Sequence, residues 1–166
     1  MLFRSKPLLE QRGWRVVLTR STDKAVELPE RVLIAEQQQA DLFISLHLNS
    51  AGAGAAGLET YCLTPVGMPS TLTRNYADPV SIALPGNARD YENMHLAMRV
   101  HRSLLQNVGM PDRGVQRARF MAVLKTQQRP AILIEGGYLS DRNEAKLLAS
   151  PDYRQKLAFA VAKALE

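Results

Sequence analysis

Apolar positions along this chain gather into short runs that stop abruptly at polar or glycine-rich sequence. The sharpest is Leu42-Phe43-Ile44 with Leu46, which closes at His47-Leu48-Asn49-Ser50 and a Gly/Ala-rich stretch. Such a run predicts a buried strand leading outward to a loop. Pro130-Ala131-Ile132-Leu133-Ile134, ending at Glu135-Gly136-Gly137-Tyr138, has the same shape. Two further strands are expected over Trp14–Thr19 and Leu58–Leu63. Helical spacing predicts helices ending at Gly13, running from Pro29 to about Gln39, and covering 91–108. In the last, Met94, Ala97, Met98, His101, Leu104 and Leu105 share a face and Gly109 supplies the stop. Pro7 is awkward within the first of these unless it lies in the opening turn. Residues 114–119 read as extended and 120–124 as a short apolar element. Helices over 141–149 and 151–165 finish the chain, with Tyr153, Leu157, Val161 and Leu165 facing inward. Strands alternating with helices predict an α/β fold in three layers.

Between Thr64 and Arg89 the pattern is lost. Pro65, Pro69, Pro79 and Pro85, with Gly67 and Gly86, predict a long irregular insertion of the kind that forms lids or binding walls.

Composition narrows this picture. A chain of 166 residues with 46% hydrophobic content supports one core, so residues 1–166 are expected to form a single domain. No apolar run approaches the roughly 18–20 residues of a membrane span. Arg4, Lys6, Glu10 and Arg12 leave no apolar core for a secretory signal in the first 13 residues. The expectation is therefore an intracellular protein, or a start that is not the natural one. The net charge of +5 is spread along the chain, with 113–119 as its densest basic stretch, and no nucleic-acid motif accompanies it. Cys62 is the only cysteine, which excludes a disulfide framework and a cysteine-based zinc cage.

The candidate chemistry sits at the two strand ends. Open α/β sheets place ligand sites beyond the carboxyl ends of their strands. A histidine and a glutamate there, His47 and Glu135, suit metal-assisted hydrolysis. Simpler roles compete: a structural histidine at 47, and at 135 an ion-pair partner for Arg20 or Arg31. His95 and His101 are six apart, not at chelating spacing on a helix, and are expected to face solvent or pack. Glu59 is expected as a sheet-surface charge, with a place lining the cleft as the alternative, and Met94, Met98, Met110 and Met121 as core fillers.

Taken together, these stretches resemble the zinc-dependent N-acetylmuramoyl-L-alanine amidases of the amidase-3 family. The matching pieces run in order through nearly the whole chain. They are Val17–Arg20 with Asp23, Leu28–Arg31 with Ala35, Ala40–Asn49, Gly57–Tyr61, Arg113–Val115, Val123-Leu124, Pro130–Tyr138, and the Tyr153-Arg154 helix. The Ser-x-His-x-Asn and Pro-Ala-x-Leu-x-Glu-x-Gly-aromatic elements are the most specific.

The resemblance implies a mostly parallel central sheet flanked by helices, with His47 as a zinc ligand and Glu135 as the catalytic residue. It further implies peptidoglycan as substrate and a periplasmic or extracellular place of action in a bacterium. A neutral imidazole suits zinc, and a carboxylate beside an activated water can pass its proton to a leaving amine. Gly136 and Gly137 are expected to let substrate approach the backbone. Family members open with a strand ending in a Gly-His-Gly-type motif, followed by a glutamate, and these complete the zinc site. Here both ligands and that first strand are missing, and Glu36 replaces a usual asparagine. His47 alone does not hold zinc tightly, since catalytic zinc has about three protein ligands. Two functions follow: a peptidoglycan hydrolase cleaving the bond between N-acetylmuramic acid and L-alanine, or a truncated, non-catalytic module that binds peptidoglycan or a partner.

Overall fold

A computed structural model describes residues 2–52, 54–72 and 78–166. Part of the expected 64–89 insertion, residues 73–77, lies outside them. Helix α1 (Leu2–Glu10) is followed by α2 (Leu28–Gln37), β1 (Phe43–Asn49) and β2 (Leu58–Cys62). After the insertion come a 3-10 turn (Pro85–Arg89), α3 (Asp90–Val108), β3 (Asp112–Arg117), α4 (Ala122–Lys125), β4 (Ala131–Tyr138), α5 (Arg142–Ala149) and α6 (Pro151–Lys163).

The four strands form one sheet in the order β1-β4-β2-β3. β1 runs parallel to β4 and β2 parallel to β3, while β2 and β4 are antiparallel. Strand periodicity of two then sorts the side chains into two cores. Ile132, Ile134, Leu58 and Cys62 pack with Leu96, Ala97, Val100, Leu104, Leu157 and Val161 beneath α3 and α6. Phe43, Tyr61, Ala131 and Leu133 pack on the opposite face with Ala35 of α2 and Val123 and Leu124 of α4. The result is the expected three-layer α/β architecture, with two of the three strand pairs parallel. α4 is only four residues long, so the second helical layer is thin and covers the lower rungs of its face.

Three expectations need correction. The Trp14–Thr19 stretch forms no strand. Besides the backbone bond from Trp14 N to Leu9 O at 3.2 Å, its anchors are side chains: Trp14 Nε1 donates to Leu165 O at 3.1 Å and Lys6 Nζ to Val16 O at 3.1 Å. A cavity of about 390 Å³, lined by Trp14, Val16 and Val17 and by Leu42 and Ile44 of β1, separates it from the sheet edge. Without backbone contact across that gap there is no ladder. Second, the buried face of α3 is rotated: Met98 is exposed, while Leu96 and Val100 are buried beside His101. Third, Pro7 lies well inside α1.

The described parts of the insertion are tied down. Arg119, 3% exposed, donates to the carbonyls of Thr64 (3.2 Å), Pro65 (3.3 Å) and Ile82. Gly67 N donates to Val80 O at 2.8 Å, and Asn87 Nδ2 to Thr64 O at 2.9 Å. Residue Glu36 is paired with the mostly buried Arg129, which accounts locally for its presence.

Candidate active site

The site is one rung of the sheet. On the face carrying Phe43, Ala131 and Leu133, the register places Phe43 opposite Ala131, Ser45 opposite Leu133, and His47 opposite Glu135. Across the antiparallel pair, Tyr61 stands opposite Leu133 and Glu59 opposite Glu135. His47, Glu135 and Glu59 therefore form a row over three adjacent strands, with Glu135 in the middle. Lower rungs are largely apolar, Ser45 and the Tyr61 hydroxyl apart, and are covered by α2 and α4. This row is where apolar residues give way to ionisable ones.

Immediately beyond it the pairing shifts: His47 pairs with Glu135 but Asn49 pairs with Tyr138, so Gly136 and Gly137 form a bulge against Leu48. Gly137 has φ 131°. A Cβ at Gly136 would sit 3.2 Å from Leu157 Cδ1, and one at Gly137 3.3 Å from Glu144 Oε2. The two glycines thus make room for α5 and α6. Glu144 Oε2 accepts from Tyr138 N at 2.7 Å and Tyr153 Oη donates to Gly136 O at 3.2 Å, fixing the bulge that follows Glu135.

Electrostatics separate the three members of the row. Burial, with Arg31 and Arg20 nearby, lowers the pKa of His47, so its imidazole stays neutral at pH 7. Glu135 is 8% exposed, and its Oε2 has no hydrogen-bond partner among the described residues. Burial first, and the charge of Glu59 second, push its carboxyl up to about 7. That value suits an acid/base group at neutral pH. No ion pair joins Glu135 to Arg20 or Arg31 among the described residues. Their guanidinium groups donate instead to Lys24 O and Val26 O.

Glu59 is not a surface charge. It is 2% exposed and fully engaged: Oε1 accepts from Arg113 Nε at 2.6 Å, and Oε2 from Tyr61 Oη at 2.7 Å and Asn49 Nδ2 at 3.1 Å. Tyr138 lies against Glu59 and Arg113, and its hydroxyl pKa is pushed up to about 12 by burial and by Glu59. Sequence reasoning missed this network. The available signal was a glutamate inside Leu58-Glu59-Thr60-Tyr61-Cys62, all five of which are buried. The 113–119 basic stretch also dissolves into separate roles, since Arg113 serves the site while Arg119 is buried among carbonyls.

The donor set was tested against zinc. His47 offers a neutral imidazole, but no group of three His, Cys, Asp or Glu side chains among the described residues is arranged to hold a metal. Glu59, the third member of the row, is already spent on Arg113, Tyr61 and Asn49. None of residues 1, 53 and 73–77 is His, Cys, Asp or Glu. The residues present do not fit a zinc site.

An α/β domain with a paired-carboxylate and imidazole row at the carboxyl end of two parallel strands has the form of a hydrolase site. Residues 2–166 match the N-acetylmuramoyl-L-alanine amidase model of the amidase-3 type, and the chain belongs to that family. It is 32% identical over 161 residues to the uncharacterized protein YqiI of Bacillus subtilis (strain 168), covering 95% of this chain and 66% of that relative. The N-acetylmuramoyl-L-alanine amidase CwlM of Bacillus licheniformis is 30% identical over 165 residues, covering 99% of this chain and 55% of the relative. Among solved structures, the N-acetylmuramoyl-L-alanine amidase AmiC2 of Nostoc punctiforme superposes with TM-score 0.79 at 33% identity, covering 98% of this chain and 77% of that one. The catalytic domain of CwlV from Bacillus (Paenibacillus) polymyxa var. colistinus gives 0.78 at 29% identity, covering 99% and 78%. The chain thus spans between half and two thirds of the length of these two curated relatives.

Proposed function

We propose that residues 1–166 form one amidase-3-like catalytic domain that hydrolyses the amide between N-acetylmuramic acid and the L-alanine of peptidoglycan. The observation that carries this is the placement of Glu135. It is a buried carboxyl with one oxygen unpartnered among the described residues, aligned between a neutral imidazole and a second carboxylate. A carboxyl poised near neutrality takes a proton from an attacking water and returns it to the amine that leaves. Each transfer needs only one protonation change at Glu135. The Glu59–Arg113 pair holds a fixed charge beside it. Burial of the rung keeps bulk water from flattening these interactions. The substrate lies in the bacterial wall, so the place of action is periplasmic or extracellular. No helix among the described residues is long and apolar enough to cross a membrane.

His47 is the zinc ligand that the family resemblance implies, and the described residues do not complete a metal site around it. That shortfall favours a second reading, in which the domain binds peptidoglycan without cutting it.

One experiment separates the two. The purified chain is loaded with zinc, zinc content is measured after dialysis, and free N-terminal alanine released from purified peptidoglycan is followed. The amidase reading expects release that falls by about 10²–10⁴-fold in Glu135→Gln, the usual worth of a positioned acid/base group. Sedimentation with the wall but no release, at any zinc concentration, establishes the binding module instead.

A further inference from the structure

We propose that Arg113 is a substrate subsite: its guanidinium anchors a carboxylate on the residue that follows the alanine of the bound peptide. This rests on the reading of the Glu135 rung as an amide-cleaving site and adds a specificity determinant to it.

The side chain is held in place before any ligand arrives. Its Nε donates to Glu59 Oε1 at 2.6 Å, and its guanidinium carbon stacks 5.4 Å from the centre of the Tyr138 ring. Its stem lies over Gly57, where a Cβ would come within 3.0 Å of Arg113 Cγ and 3.1 Å of Cδ. The flanking backbone is fixed as well. Asp112 Oδ1 accepts from Gly114 N at 2.7 Å and meets His101 Nε2 at 2.9 Å. His101 Nδ1 in turn meets Thr60 Oγ1 at 3.0 Å. His101 is 5% exposed, so a buried imidazole bridges α3, β2 and the start of β3 and sets the strand from which Arg113 projects. An arginine fixed this way loses little further entropy on binding.

It is also open. The Arg113 side chain is 39% exposed, although its partner Glu59 is buried. A guanidinium has five N–H donors in a planar fork suited to a carboxylate, and the Glu59 bond shown uses the Nε–H. Three other arginines around the sheet are committed to the fold: Arg119 to three carbonyls, Arg129 to Glu36, Arg31 to Val26 O.

The spacing selects the ligand atom. Arg113 projects from β3, two strands from Glu135 on β4 in the order β4-β2-β3. Strands about 4.8 Å apart put the backbones about 10 Å apart, and the side chain leans back toward Glu59, shortening the gap. Extended peptide advances about 3.3 Å per residue. With the scissile amide at Glu135, a carboxylate one residue beyond the alanine reaches the guanidinium, whereas an uncharged group there meets a polar, half-solvated surface. Glu59 already shares the arginine's charge, so the preference is modest.

The test is calorimetric titration of the chain with N-acetylmuramoyl-L-alanyl-D-glutamate and with the same compound carrying both carboxylates as amides. The wild-type chain is expected to bind the acid about tenfold more tightly than the diamide, equivalent to about 1.4 kcal/mol. Arg113→Gln is expected to bind both at the wild-type diamide affinity, and Arg113→Lys to keep part of the preference, since lysine supplies charge without the fork. Because Arg113→Gln leaves buried Glu59 without its cation, the doubly substituted chain Glu59→Gln with Arg113→Gln, a neutral pair, is measured alongside and should show the same loss. Equal wild-type binding of acid and diamide overturns the subsite while leaving the amidase reading intact, as does a preference that persists in the substituted chains. Binding of neither compound by the wild type overturns both.

Discussion

Glu59 and Glu135 stand directly opposite each other on antiparallel β2 and β4, both nearly buried, yet among the described residues only Glu59 has an ion-pair partner. Directly opposed like charges destabilise a sheet pair. The fold resolves the conflict by pairing one carboxylate with Arg113, Tyr61 and Asn49 and leaving the other to hold its proton. The sheet therefore carries a built-in cost at this rung.

That cost has a pH signature. Below its ordinary value of 4.5, Glu135 is protonated whether the chain is folded or not, and its contribution to stability is fully present. As pH rises from 4.5 toward about 7, the unfolded chain ionises first while the folded one keeps the proton. Stability falls across that window, by on the order of 3 kcal/mol once pH exceeds the folded value. Glu135→Gln removes the titration. Urea midpoints measured from pH 4 to 8 should show the variant gaining on the wild type through the window; parallel curves would show that Glu135 is not held protonated by the fold.

Arg119 tests whether the insertion is a fixed wall or a loose excursion. Its guanidinium supplies the donors for Thr64, Pro65 and Ile82 carbonyls. Arg119→Ala takes a donor from each of these carbonyls, Thr64 O keeping its bond from Asn87 Nδ2, and should cost about 3 kcal/mol, at roughly 1 kcal/mol or more for each lost bond. Limited proteolysis with mass mapping should place new early cuts between residues 65 and 82. An unchanged denaturation midpoint and cleavage map would mean that the segment is held by other contacts.

Gly57 marks the entry to β2. Its φ is 118°, and a Cβ there would lie 2.6 Å from Pro111 O, a backbone atom that cannot step aside cheaply. Gly57→Ala should cost about 2–3 kcal/mol in strain, lowering the thermal midpoint by roughly 5–10 °C. Gly52, with open space around it and an ordinary φ, is the control, and its alanine variant should melt with the wild type. Equal melting of both variants would show that β3 and Pro111 yield to the added methyl.

Much of this was legible in the linear order of residues. The runs at 42–46 and 130–134 needed only hydrophobicity and β-branching to announce buried strands, and their polar ends pointed to His47 and Glu135. Caps did the same for helices: Gly109 with φ 74° closes α3, Pro29 opens α2, and Asp141 caps α5 by accepting from Asn143 N and Glu144 N. These are local effects, decided within a turn or a strand. Which residues meet across strands was decided only by tertiary structure. Glu59 looked like a surface charge because alternation along β2 says which residues share a face, not whether a neighbour covers that face or brings a cation from 54 residues away. Trp14–Thr19 has strand-forming residues, but a strand exists only when a second backbone lies within hydrogen-bonding distance, and here a cavity intervenes. His101 was one apolar-face histidine among several readings until α3 set it between Thr60 and Asp112. Local sequence wrote the elements; register and packing, which depend on residues far apart in the chain, assembled the rung.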